Sequence, residues 1–357
     1  MAQNTIYSGR EFSVYVNTDL VNANGAGNFN TATDTSWKKI DVDSVTFPSF
    51  SPIQEFEMRS GSGRVASFDQ VFTTNKRVTT EFSLSGRLDA AVLPIFVENV
   101  TGTASASDAV TIATGYAPTS PLRDAEITAG DYHLPLSFYF AAPGAVDSAD
   151  SYKLKGCVCT SLTISADMDT VAGRFQFDAT FQTQDPVTKG GVSTASMAGL
   201  NKGWLYLTDL PIKTITLTGS VTEGAIDALW KSVSFTIEQP TQFLGATGTN
   251  GECEVWARGV PETTFTMSGS VKYDANTDQL VESYRAANAD NAVAIHMANV
   301  AEHSGGLFNV SSTGVGFDIG KGKLQSCEVA ADDIAMVNFE VKALDDGTNA
   351  IGAILVA

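Results

Sequence analysis

Few residues of this chain have the types and spacing that bond-making chemistry requires. The three histidines are His133, His296 and His303. The last two stand seven apart in HMANVAEH and would share one face of a helix, but zinc ligands usually stand about three to five apart and no third ligand is evident. Asp274, Asn276 and Asp278 in DANTDQ imitate the start of a calcium loop. Its sixth position is Gln279 where glycine is needed and its twelfth is Arg285 where a bidentate Glu is needed, so the stretch reads as the start of a helix. The four cysteines, Cys157, Cys159, Cys253 and Cys327, have no CxxC spacing and read as reduced, partly buried thiols. GxSxG, Walker and GxGxxG motifs are missing, and the glycine groups RSGSGR (59 to 64) and IGKGK (319 to 323) lack the strand-then-helix setting such motifs need. The carboxylate pairs Asp332 and Asp333, and Asp345 and Asp346, are consecutive and would diverge in a strand. No catalytic, cofactor-binding or metal residue is therefore assigned, no cofactor is expected, and the chain is not expected to be an enzyme.

Charge narrows the partners. Lys and Arg number 22 against 40 Asp and Glu, a formal net charge of −18, so the molecule as a whole repels polyanions. No apolar run is long enough to span a bilayer, and MAQNTIYSGREF has neither the basic start nor the apolar stretch of a signal peptide. The expectation is a protein that works without membrane insertion or general export. With 357 residues, two domains is the prior from length.

The elements that would position any site are mostly strands. EFSVYVNTD (11 to 19), KKIDVDSVTF (38 to 47), TTEFSLSG (79 to 86), LPLSFYF (134 to 140), SLTISADMD (161 to 169) and GRFQFDATFQT (173 to 183) alternate with period two. Gly, Asn, Asp and Ser clusters such as NANGAGN (22 to 28) separate them. RLDAAVLPIFVENV (87 to 100) reads as a helix that Pro94 kinks or starts, and NTDQLVESYRAAN (276 to 288) as an amphipathic helix capped by Asn276 or Thr277.

The same plan occurs twice. TTEFSLSG returns as TTFTMSG (263 to 269), each followed by its helix. WKKIDVDSVTF (37 to 47) returns as WKSVSFTIEQP (230 to 240), aligning Trp37 and Lys38 with Trp230 and Lys231. The closing hairpin aligns Ser161, Ala166, Asp167 and Phe175 with Ser326, Ala331, Asp332 and Phe339. The first copy carries an insertion over residues 101 to 131, and the boundary falls near MAGLNKGWLYLTD (197 to 209), giving domains 1 to 203 and 204 to 357.

This order of a strand pair, a long loop (48 to 76, then 240 to 262), a repeated strand running into a helix, and a closing hairpin resembles the major tail tube proteins of long-tailed bacteriophages. The resemblance covers most of the chain and rests on patterns. It implies an all-β fold with minor α: two tandem β-sandwich domains, each with one short helix, joining neighbours in a shared multi-strand barrel. Family rings hold six tube domains, so three two-domain chains would close a homotrimer of pseudo-sixfold appearance. The rings would stack into a tail tube, meet the tape measure protein and the tail terminator or tip proteins, and pass genomic DNA without specific binding. The protein would reside in the virion tail after assembly in the host cytoplasm. If each domain lends four strands, about 24 strands spaced ~4.8 Å and tilted ~40° close at a backbone radius of roughly 24 Å, leaving a bore of roughly 38 Å. A negatively lined bore would keep DNA from sticking, with the acids of KKIDVDSV as candidates. The loop SPIQEFEMRSGSGRVASFDQVF (51 to 72), with Phe56, Met58 and Phe72, would be ordered on a neighbouring ring. A capsid decoration protein, a secreted adhesive module and a carbohydrate-active sandwich stay open as alternatives.

Overall fold

The computed structural model describes residues 12–17, 37–47, 53–56, 71–74, 80–90, 92–101, 109–112, 136–143, 150–169, 173–183, 187–190, 198–199, 203–219, 224–244, 255–258, 264–286, 291–299, 315–331, 333–344 and 352–356. The first half of the chain supplies strands β1 (Ser13–Asn17), β2 (Trp37–Ile40), β3 (Ser44–Thr46), β4 (Ile53–Phe56), β5 (Val71–Thr74), β6 (Thr80–Arg87), β7 (Ala109–Ile112), β8 (Leu136–Ala141), β9 (Tyr152–Asp167), β10 (Gln176–Thr183), β11 (Thr188–Lys189) and β12 (Ala198–Gly199). The second supplies β13 (Ile212–Thr218), β14 (Gly224–Asp227), β15 (Trp230–Glu238), β16 (Thr241–Leu244), β17 (Val255–Arg258), β18 (Thr264–Lys272), β19 (Ala292–Ala298), β20 (Val315–Ala331), β21 (Ala335–Ala343) and β22 (Gly352–Val356). Helix α1 spans Leu93–Thr101 and α2 spans Asp278–Ala286. The fold is thus all-β with minor α, and among the described pairings all are antiparallel except β12 on β2.

One sheet crosses the molecule in the order β3, β6, β10, β9, β15, β18, β21, β20. Four strands come from each half, and the two sets follow the same order. Register makes the correspondence concrete. Phe177 of β10 stands opposite Gly86 of β6, and Phe339 of β21 stands opposite Gly269 of β18. Val45 of β3 faces Leu84, two residues before Gly86, while Phe235 of β15 faces Met267, two residues before Gly269. The sets meet where β9 pairs β15 from Ser161↔Glu238 to Asp167↔Ser232.

Period-two alternation in these strands sends one beat inward. In β6 and β18 the residues Phe82, Leu84, Phe265, Met267 and Val271 are all buried, while their neighbours are polar and more open. The buried beat packs on a second layer. Its first part runs β2, β1, β8 and the N-terminal portion of β9; its second runs β14, β13, β19, the N-terminal portion of β20, β22 and β7. Both long strands therefore belong to both layers. Each skips a residue in its pairing with the neighbouring hairpin strand, β9 at Thr160 and β20 at Gln325, and such bulges add the bend and twist that carry a strand from one layer into the other. Aromatic rings fill the gap: Phe82 lies 5.1 Å from Phe138, and Phe235 stacks on Phe317 at 4.4 Å between ring centres. Strand β8 is buried along its whole length because Phe138 and Phe140 enter this core while Tyr139 packs with Trp37 and Tyr15 on the other side.

Helix α1 buries Leu93, Phe96, Val97 and Val100, the i, i+3, i+4, i+7 stripe of an amphipathic helix. It starts at Leu93, so Pro94 sits in the first turn, where its missing N–H leaves no helical bond unmade. Helix α2 lies along β20 of its own chain, with Leu280 fully buried and Tyr284 Oη donating to the Gln325 carbonyl at 3.1 Å. Thr277 is the residue that precedes it, buried and accepting from the Asp274 amide at 2.8 Å.

Several alignments by letters shift in the fold. KKIDVDSVTF is not one strand: β2 pairs β1 in one layer and β3 pairs β6 in the other, with 41 to 43 as the crossing. Trp37 and Trp230 are consequently not counterparts. Trp37 lies in the small Tyr15, Tyr139 and Ala141 cluster, whereas Trp230 lies in the main core 5.7 Å from the Phe339 ring. In the closing hairpins Phe339 corresponds to Phe177, not Phe175, and Ser326 to Thr163, not Ser161. These slips are of two residues, one full pleat, which preserves the face and hides the error from a pattern read at period two. The insertion 101 to 131 includes β7, which joins β22 of the second half. Both long loops contain a ladder, β4 on β5 and β16 on β17. The stretch near 203 to 210 is closely attached: Leu205, Leu207 and Leu210 are buried, and Asp89 Oδ2 accepts from the Gly203 amide at 3.1 Å.

Candidate functional site

The polar beat of the eight-stranded sheet forms one continuous face. A row that crosses all eight strands reads Ser44, Ser85, Asp178, Thr163, Thr236, Thr266, Lys342 and Lys323. The next reads Arg87, Gln176, Ser165, Ser234, Ser268, Glu340 and Ser326. Hydroxyls dominate both rows: β10, β21 and the C-terminal portion of β20 bring mainly amide and charged groups, but on β3, β6, β9, β15 and β18 the beat opposite the core is mostly serine and threonine. They keep β propensity while leaving a surface that water wets. At the junction of the halves Thr163 Oγ1 and Thr236 Oγ1 share a hydrogen bond of 3.2 Å, and Lys231 Nζ meets Asp169 Oδ2 at 2.9 Å. The face is hollowed where the halves join, forming an open depression of about 480 Å3 lined by Ser165, Asp167, Arg174, Ser234, Ser268 and Glu340 among others.

The lining gathers serine hydroxyls and the carboxylates of Asp167, Glu328 and Glu340 around one hollow and includes no His or Cys. On the face as a whole charges nearly balance. Glu81, Asp167, Asp169, Asp178, Glu238, Glu328 and Glu340 stand with Arg87, Arg174, Lys231, Lys272, Lys323 and Lys342, seven acids against six bases. The two acids of KKIDVDSV, Asp41 and Asp43, precede β3; both are exposed, and Asp43 lies 3.9 Å from Arg87. Most of the −18 therefore lies off the described part of this face.

The sheet also has two ends. Among the described residues β3 has a ladder partner only in β6, and the 323–331 portion of β20 only in β21. Apolar side chains at these ends are less covered than their counterparts at the junction. Val45 and Cys327 are half-buried, whereas Phe235 and Ile164 are buried. Val329 is 41% exposed, whereas Ala166, which corresponds to it, is 4% exposed. Burial of the Cys327 thiol pushes its pKa up to about 11, with Glu328 adding to the shift.

The residues with chemical potential are scattered. His296 lies in strand β19, not a helix, and pairs across the ladder with Asp318 of β20; both are buried and His296 Nδ1 stands 3.6 Å from Asp318 Oδ1. That pair belongs to the second layer, away from the polar face. Cys157 and Cys159 are buried in the main core. Asp274 Oδ1 accepts from the Asn276 and Thr277 amides, and Asp278 Oδ1 accepts from Tyr273 Oη, so the imitation calcium loop spends these oxygens on a turn and a helix start. The Thr277 amide, followed by that of Asn276, holds the Asp274 carboxyl below its ordinary value. His133, His303, Cys253, Asp332, Asp345, Asp346, Met58 and the side chains of Phe56 and Phe72 lie outside the described residues. Among the described residues no group of three or more His, Cys, Asp and Glu converges, and no helix is long and apolar enough to cross a membrane. No protein-family model and no curated protein matches this chain.

Proposed function

We propose that this chain is a major tail tube subunit of a long-tailed bacteriophage, a structural protein whose two halves are tandem tube domains. The observation that carries the reading is the uninterrupted sheet of eight strands, four from each half in one order, joined at β9 and β15. Within a single chain this is the contact that two neighbouring tube domains would make in a ring. Three chains of eight strands give the 24 that close at a backbone radius of roughly 24 Å and leave a bore of roughly 38 Å, ample for a duplex about 20 Å across. The polar face lines that bore and the aromatic core faces outward.

Transport through such a channel needs a wall that DNA does not grip. Phosphate affinity grows with each Lys or Arg that displaces a counterion. A wall of hydroxyls with nearly matched charges offers few such contacts, so the lining is inert through its neutrality more than through an acidic coat. Other copies of this chain, the tape measure protein and the tail terminator or tip proteins are the partners, and the virion tail is the place of action. Negative-stain imaging of the purified protein tests this directly. Hollow stacked rings with threefold symmetry and a sixfold outline are expected; closed trimers that never stack would favour capsid decoration, and persistent single chains would end both readings.

A further inference from the structure

We infer that the two ends of the eight-stranded sheet are the two halves of one contact between copies of this chain, β3 of one copy lying antiparallel on the 324–328 portion of β20 of the next, with Val45 opposite Cys327. The inference rests on the tube reading and specifies its contact. The template is the junction inside the chain. Strand β3 stands to β6 as β15 stands to β18, and β20 stands to β21 as β9 stands to β10. Cys327 faces Phe339 as Ile164 faces Phe177, and both phenylalanines stand opposite the repeated glycines. Transferring the pairing Ile164↔Phe235 and Ser165↔Ser234 gives Cys327 opposite Val45 and Glu328 opposite Ser44.

Coverage of the side chains argues the same way. Ile164 is 0% exposed and Phe235 1%, each covered with the help of the other's strand, while Cys327 and Val45 are only half-buried on opposite ends of the sheet. A second copy would cover both at once. Unpaired strand edges are normally guarded by prolines, inward charges or bulges. Ser44, Val45 and Thr46 carry none of these, and Ser326 to Ala331 carries one charge, Glu328, on the polar face. The bulge at Gln325 sits at the start of that edge and leaves the following residues free to pair. Because the two edges are different surfaces, the contact is head-to-tail and closes a ring when each copy turns by a fixed fraction of a circle.

Val45→Cys beside the native Cys327 tests the pairing. After oxidation of the purified protein, non-reducing electrophoresis should give reductant-sensitive bands of two and three chains. Ser44→Cys beside native Cys327, which puts the thiols on opposite faces, should leave single chains. Ser44→Cys with Glu328→Cys in a Cys327→Ala background repeats the test at exposed positions and guards against a folding defect from Val45→Cys. If rings or tubes appear in the images but neither pair cross-links, the edge pairing is wrong and the tube reading survives. Cross-linked series longer than three chains would uphold the edge pairing and overturn the three-chain ring. Parent and variants that stay single and uncross-linked would sink both.

Discussion

A β-carbon at position 269 would stand 2.6 Å from Trp230 Cζ3 and 2.9 Å from Phe339 Cζ, so glycine is what lets the Trp230 ring lie on β18. At Gly86 the same space is taken by backbone at 41 to 43, all at 3.1 Å. The repeated Ser-Gly thus serves one purpose with two different fillers, which is why it stays in register while the tryptophans do not. Gly269→Ala should cost about 1–3 kcal/mol by overpacking, measured as a lowered urea midpoint. Combining it with Trp230→Leu should cost less than the two single changes together, since they share one contact. The folded Asp274 carboxyl titrates below its ordinary 3.8, so its contribution to stability is complete above that value and fades as pH falls through the lowered folded value. The difference in unfolding midpoint between the parent and Asp274→Ala should therefore be largest near about pH 6 and shrink below about pH 3.

At the scale of elements, each long strand bulges against its closing-hairpin partner, and a helix answers each of these bulges. The Cys159 amide beside the Thr160 bulge donates to Asn99 Oδ1 of α1, and Tyr284 Oη of α2 donates to the Gln325 carbonyl. Asn99 is 1% exposed, so Asn99→Ala leaves a buried amide unsatisfied and should lower stability by about 1–3 kcal/mol in denaturant titration. Tyr284→Phe, at a partly open site, should cost less. The helices, the repeated strands and the closing hairpins were legible because apolar side chains at period 3.6 or 2 report burial directly. Bulges were not, since an extra residue such as Thr160 differs from its neighbours only in pairing. The split of KKIDVDSVTF was hidden for a related reason: Ile40 and Val45 both face core, but in different layers, and a period cannot say which. Likewise β7 reads as part of an insertion because its partner β22 lies more than two hundred residues away. The hydroxyl face was present in the letters as Ser83, Ser85, Ser161, Thr163, Ser165, Ser232, Ser234 and Thr236. It gains meaning only once the register lines them up across strands.

For the whole molecule, the proposed tube, with hydroxyls and nearly matched charges on its wall, should make only weak contact with DNA. Assembled protein should show no retention of a short fluorescent duplex at about 50 mM salt, measured by anisotropy. Thr163→Lys with Thr236→Lys, which places two cations per chain on the polar face, should introduce retention that declines steeply as salt rises. The internal strand junction also bears on how quickly such assemblies begin. If three chains close the proposed ring, the β9–β15 junction within each chain seals half of its six seams during folding, at no cost in diffusional encounter. Initiation of a circle then requires a meeting of three bodies instead of six. Its onset would depend on the cube of subunit concentration where separate modules would show a sixth-power threshold, letting construction start while the protein is still scarce.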